Sequence, residues 1–207
     1  MTLNTLQCFL SFFQVRGTPA SGKSTLAKLL SEYIKAKEPY VHVIWIDGWN
    51  LGDVEKSGGW QLYLENIKGW IPEEETAFIF DEAQLSYNDM ALWMNFFKGI
   101  HDYRERRAIA FVSYGSPLLK DIKGTRFPVP PGARVSLVPT VYDNLSAAGL
   151  LFTRAEFNEL VFRQYPSSEF LFDPSFLDKV FEITDGHVGA MYSFLHTILG
   201  SGVCTFF

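Results

Sequence analysis

Apolar residues in the first two thirds of this chain gather into five short runs, at residues 12–15, 42–47, 77–81, 108–113 and 134–138. Each run is nearly continuous rather than alternating, which is the pattern of strands buried on both faces. Stretches of helical period lie between them. Residues 24–36 space Leu26, Leu29 and Leu30 along one side, and residues 59–71 do the same with Trp60, Leu64 and Ile67. The stretch from Leu85 to Arg107 carries Trp93, Phe96, Phe97 and Ile100 at the same spacing. Alternating strands and helices predict an α/β domain with a parallel sheet covered on both faces.

The pattern changes twice downstream. Residues 115–132 (GSPLLKDIKGTRFPVPPG) are punctuated by glycine and proline and predict a long loop. After Pro139 the periodicity is helical only. Thr153 to Glu156 fits a capping box ahead of Phe157, Leu160 and Val161. Asp173-Pro174 reads as a second helix start, ahead of Phe176, Leu177, Val180 and Phe181, with Gly186 as its stop. A third helix carries Phe194, Leu195, Ile198 and Leu199. The expected organisation is an α/β core over 1–140, a helical subdomain over 141–201 and a short tail over 202–207. That tail, GSGVCTFF with its preceding residues, does not read as a natural domain end, so the chain is expected to be a fragment of a longer protein.

The chemistry sits at the junctions of this pattern. Residues 17–24 read GTPASGKS and fit G-x-x-x-x-G-K-[ST] between the first strand and the first helix. In such a loop Gly17, Thr18, Pro19, Ala20, Ser21 and Gly22 wrap backbone N–H groups around phosphate. Lys23 reaches the β/γ-phosphates, Ser24 offers its hydroxyl to Mg²⁺, and Thr25 follows at the helix N-terminus. The third strand ends in AFIFDEAQ. Asp81 is placed to hold Mg²⁺ through water and Glu82 to take a proton from an attacking water, at the strand end where ligands sit in open α/β sheets. Taken apart from the 17–24 loop, the pair also fits a strand that ends at a solvated loop.

Other polar positions have two readings each. Asp47 either borders the cleft or caps the turn after the second strand. Ser113, ending the fourth strand, either senses a γ-phosphate or satisfies loop backbone. Arg104, Arg106 and Arg107 are expected to close the helix before the fourth strand, where they either reach a neighbouring subunit as a finger or complement the helix's negative end. Arg126 in the Pro/Gly loop is a further finger candidate. His187, in DGHVGA, is either structural or a nucleotide contact, with Gly186 and Gly189 permitting close backbone approach.

Taken together, a P-loop, a later DE pair, a polar fourth-strand end and a helical appendage resemble the ASCE division of P-loop NTPases, which includes the AAA+ and STAND ATPases. The resemblance covers nearly the whole chain. It implies strand order 5-1-4-3-2, a helical lid, Walker A and Walker B roles for the two motifs, and ATP with Mg²⁺ as cofactors. DGHVGA lacks the Arg or Pro expected of the lid motif. More narrowly, RGTPASGKST, HVIWIDGW, FIFDEAQ, VSYGSP and TDGHVGA resemble the NTPase domain of Crinkler-type and retrotransposon-hot-spot-like proteins. That family places an N-terminal header and a C-terminal effector domain beside the NTPase, and implies possible delivery to a host cell.

Composition bounds these readings. Of 207 residues, 47% are hydrophobic, enough for one α/β domain with a small appendage. Aromatic residues reach 16%, which predicts an aromatic-rich core, with an aromatic partner surface as the alternative. A net charge of −5 lacks the basic footprint of a nucleic-acid binder. Cys8 and Cys204 match no zinc spacing, favouring a reduced intracellular compartment. No basic n-region precedes the apolar start, and no apolar run is long enough to span a bilayer. With only one short strand before the loop, little N-terminal structure is expected to contact the base. The leading expectation is an ATPase acting as a conformational switch, with a homo-oligomer possible. The alternatives are a slow or non-hydrolysing nucleotide switch, a P-loop small-molecule kinase, and a pure interaction module. The absence of an N-K-x-D guanine motif fits ATP.

Overall fold

The computed structural model describes residues 11–113, 129, 133–135, 149–165 and 172–200. They form two compact units. One joins the chain up to Thr18 with Lys23–Val135; the other joins Pro19–Gly22 with the chain after Val135.

In the first unit, five parallel strands make one sheet: β1 (Phe12–Gly17), β2 (His42–Asp47), β3 (Thr76–Asp81), β4 (Arg106–Ser113) and β5 (Arg134–Val135). Their order across the sheet is β2-β3-β4-β1-β5. Every residue of β3 is buried, as suits a strand paired on both sides. The unit also holds α1 (Lys23–Lys37), α2 (Leu51–Lys56) and α3 (Trp60–Lys68).

The sheet's two faces differ. Even-numbered strand residues, among them Phe12, Ile44, Ile46, Phe78, Phe80, Ala108 and Ala110, join Trp49, Tyr63, Leu64, Trp93, Phe96 and Phe97 in one buried cluster. Rings there meet at edge-to-face or tilted angles, such as Phe78–Phe96 at 4.9 Å between centroids and Trp93–Phe97 at 4.4 Å. These arrangements suit the ring quadrupole. The small Ala108 and Ala110 on β4 leave room for them. The opposite face meets α1, whose buried side chains are Lys23, Ala27, Ser31 and Ile34.

Three expectations need correction. Leu26 and Leu29 do not form the buried face of α1; they are 37% and 63% exposed. Ala27 and Ile34 are the apolar residues that α1 buries instead. Ile67 is likewise exposed on α3, and Leu64 alone of the expected trio is fully buried.

The stretch from Leu85 is no regular α-helix. It breaks into a 3₁₀ turn (Ala83–Ser86), a π-helical turn (Leu92–Phe97) and another 3₁₀ turn (Ile100–Asp102). The wider π turn presents Leu92, Trp93, Phe96 and Phe97 to the core together. Arg106 and Arg107 consequently do not close a helix; they open β4.

The second unit carries α4 (Arg154–Gln164), α5 (Pro174–Thr184) and α6 (Val188–Gly200). The capping box at Thr153 and Glu156 is present, and Asp173 caps α5 with Pro174 in its first turn. Phe157, Val161, Val180, Met191 and Leu195 form this unit's core. The chain leaves α5 through Asp185 and Gly186, both at positive φ. Most of residues 115–132, including Arg126, lies outside the described residues, as do residues 136–138 of the expected fifth strand. Among the described residues, no helix is long and apolar enough to cross a membrane.

Candidate functional site

Parallel pairing brings polar strand ends to one edge of the sheet. Gly17 at the end of β1 is in register with Ser113 at the end of β4, and Asp47 at the end of β2 is in register with Asp81 at the end of β3. This is the carboxyl edge, where open α/β sheets bind ligands.

The 17–24 loop turns sharply after β1. Ala20 (φ 59) and Gly22 (φ 87) both take left-handed backbone conformations, the first unusual for a residue with a Cβ. Lys23 opens α1 and is only 4% exposed. Its ammonium donates to the Thr18 carbonyl oxygen at 2.7 Å. Burial pushes the Lys23 pKa below its ordinary value of 10.5, and the charges of Glu82 and Asp81 pull it back up. The lysine therefore lies within electrostatic reach of both carboxylates of the third strand's end. Ser24 and Thr25 occupy the first turn of α1, where unpaired backbone N–H groups favour anions. Within the second unit, Gly189 donates its backbone N–H to the Ala20 carbonyl at 3.0 Å.

Asp81 is buried, and its Oδ1 accepts the Glu82 backbone N–H at 3.1 Å. Glu82 turns the chain out of β3 in the left-handed conformation, φ 51 and ψ 39. Such strain in a non-glycine residue persists only where surrounding contacts fix it. Here they do. The Glu82 carboxylate accepts from Gln84 Nε2 and, at 3.4 Å, from the Ser113 hydroxyl. Gln84 Oε1 in turn accepts the Ser113 backbone N–H at 2.9 Å. The loop's far side is tied down as well: Trp93 Nε1 donates to both the carbonyl and the hydroxyl of Ser86, each at 3.0 Å. Asp89 accepts from Trp49 Nε1 at 3.1 Å and from the Leu92 N–H at 2.9 Å, which starts the π turn.

The remaining expected residues are placed as follows. Asp47 is exposed at the strand edge, and the cap of α2 is Asn50, which accepts from Gly52 and Asp53. An open cleft of about 520 Å³ beside it is lined by Asp47, Gly48, Trp49, Asn50, Leu51, Asp53, Tyr63 and Leu85. Arg107 pairs bidentately with Glu38, at 2.7 and 3.3 Å, and reaches Glu75 at 3.7 Å. Arg106 lies over the rings of Tyr103 and Trp70, at 4.0 and 4.7 Å. Both are thus committed at the opposite, N-terminal edge of the sheet from Asp81. Arg104 sits in the turn before β4. His187 Nδ1 accepts the Ala190 N–H at 3.1 Å, capping α6.

Gln84 and Asp89 carry more of the site than their sequence positions suggested. Gln84 was visible only as the last letter of DEAQ, and Asp89 had no signal beyond preceding an aromatic run.

Among the described residues, no three His, Cys, Asp or Glu side chains converge to hold a metal by themselves. Mg²⁺ is commonly bound by one or two carboxylates together with substrate phosphates, so a buried Asp81 and the Ser24 hydroxyl suit it without such a cluster. Compared with known proteins, the chain matches no family model and no curated sequence.

Proposed function

We propose that this chain binds a nucleoside triphosphate with Mg²⁺ at the 17–25 loop and hydrolyses it to the nucleoside diphosphate and phosphate, as a switch or motor module of the AAA+/STAND type. The observation that carries this reading is Lys23: a buried lysine at the loop–helix junction, hydrogen-bonded to the Thr18 carbonyl and within the electrostatic influence of Asp81 and Glu82. A buried lysine that bonds the loop's own Thr18 carbonyl at a glycine-rich turn suits phosphate oxygens as ligands. Read from the β5 edge, the sheet order is β5-β1-β4-β3-β2. It matches the order implied by the resemblance to ASCE NTPases and supports the reading.

In this account loop N–H groups and Lys23 hold the phosphates, while Ser24 and Asp81 hold Mg²⁺, directly or through water. Bound Mg²⁺ would supply charge neutralisation at the β/γ-phosphates. Glu82 accepts the proton of the attacking water, and Ser113 fixes the carboxylate. Positioning and electrostatics then provide most of the rate.

The test is phosphate release with ATP and with GTP across a range of protein concentration. Wild-type protein should release phosphate with no added acceptor, preferring ATP. Glu82→Gln should bind ATP with little change and lose about 100-fold or more in turnover, within the range for a positioned general base. Undiminished turnover in Glu82→Gln would sink the base assignment.

A second reading draws on the cleft beside Asp47. An acidic, open cleft next to the nucleotide edge suits a hydroxyl-bearing acceptor, as in a small-molecule kinase. Phosphate release that requires an added acceptor would favour it over hydrolysis.

A further inference from the structure

We propose that Gln84 is a positioning residue that locks Glu82 to the end of β4, a role that rests on the reading of Glu82 as the water-activating base. The carboxamide has a donor end and an acceptor end, and both are used. Nε2 donates to Glu82 Oε2, while Oε1 takes the Ser113 backbone N–H at 2.9 Å. Ser113 closes the ring by donating its hydroxyl to Glu82 Oε1 at 3.4 Å. Both oxygens of the carboxylate are therefore engaged, one from the loop that follows β3 and one from the adjacent strand.

Burial makes this arrangement demanding. Gln84 is 3% exposed and Ser113 is 4% exposed, so water does not substitute freely for a lost partner. Only an amide of this length serves both sides of the ring. A glutamate at position 84 would keep the acceptor for Ser113 but lose the donor and face Glu82 with like charge. A methionine would fill the space and make neither bond. Gln84 also sits two residues after Glu82, whose strained left-handed backbone aims the carboxylate. Backbone and side chain together thus fix the direction of one group. A general base works only within hydrogen-bond reach of its water, and a displacement of about 1 Å can cost on the order of 100-fold in rate.

The experiment compares steady-state phosphate release and equilibrium ATP binding in five proteins: wild type, Gln84→Met, Gln84→Glu, Glu82→Gln and the double variant Glu82→Gln/Gln84→Met. Both Gln84 variants should lose roughly 10- to 100-fold in kcat, with the Kd for ATP changed by no more than about threefold. In the Glu82→Gln background, Gln84→Met should have no further effect on the residual rate, because its influence passes through the carboxylate. If the two losses multiply, or if kcat is unchanged by both Gln84 variants in an active protein, the positioning role is overturned and the hydrolytic reading stands. If wild type binds ATP and releases no phosphate, the hydrolytic reading falls and the positioning role falls with it. Gln84→Glu, which keeps the bond to Ser113, carries the same comparison should Gln84→Met fail to unfold cooperatively.

Discussion

At the scale of single residues, the site is defined by side chains placed where they are costly. Lys23 is the clearest case. Desolvation lowers its pKa in the folded protein, while the unfolded chain keeps the ordinary value of 10.5. Between those two values the unfolded state binds more protons, so the stability contributed by this residue rises with pH. That contribution is complete above 10.5 and is lost as pH falls through the folded value. The expected outcome is that wild type gains stability relative to Lys23→Met as pH is raised toward 10.5, measured by urea unfolding at several pH values. A stability difference independent of pH would contradict the depressed pKa. Anionic phosphate bound at the loop should offset this cost, because an added negative charge favours the charged ammonium.

At the scale of elements, the motif after β3 depends on a π-helical turn that helical periodicity does not distinguish from an α-helix. The turn brings Trp93 under the loop, where its indole N–H meets two acceptors on Ser86. Trp93→Phe keeps a ring in the core, removes that donor and leaves a small cavity. It should cost about 1–3 kcal/mol through the lost hydrogen bonds and the cavity in a buried site. It should also lower turnover, because the loop bearing Glu82 and Gln84 loses its tether. Chemical denaturation and phosphate release measure the two effects separately, and a destabilised variant with full turnover would show the tether to be structural alone. The capped helices show the opposite situation. Thr153 with Glu156, and Asp173 with Pro174, are local in sequence, so their helix starts were readable without any tertiary contact.

At the scale of the whole molecule, nucleotide binding is expected to appear as stability. A ligand at 100 times its Kd that binds only the folded state adds about 2.7 kcal/mol. For a chain of 207 residues that corresponds to a rise of roughly 5–10 °C in Tm. Scanning calorimetry with MgATP should show it, and Lys23→Ala should abolish it; an unchanged Tm in wild type at saturating MgATP would argue against binding. The sequence by itself determined the strands, the glycine-rich loop, the Asp81–Glu82 strand end and the helix caps, because apolar runs, turn chemistry and capping act over a few neighbouring residues. The tertiary structure decided what depends on distant partners. It turned Leu26 and Leu29 outward and buried Ala27 and Ile34 instead. It moved Arg106 and Arg107 into a strand beside Glu38 and two aromatic rings. It also joined Glu82, Gln84 and Ser113 in one ring of hydrogen bonds, because parallel pairing sets the ends of β3 and β4 side by side though Asp81 and Ser113 are 32 positions apart.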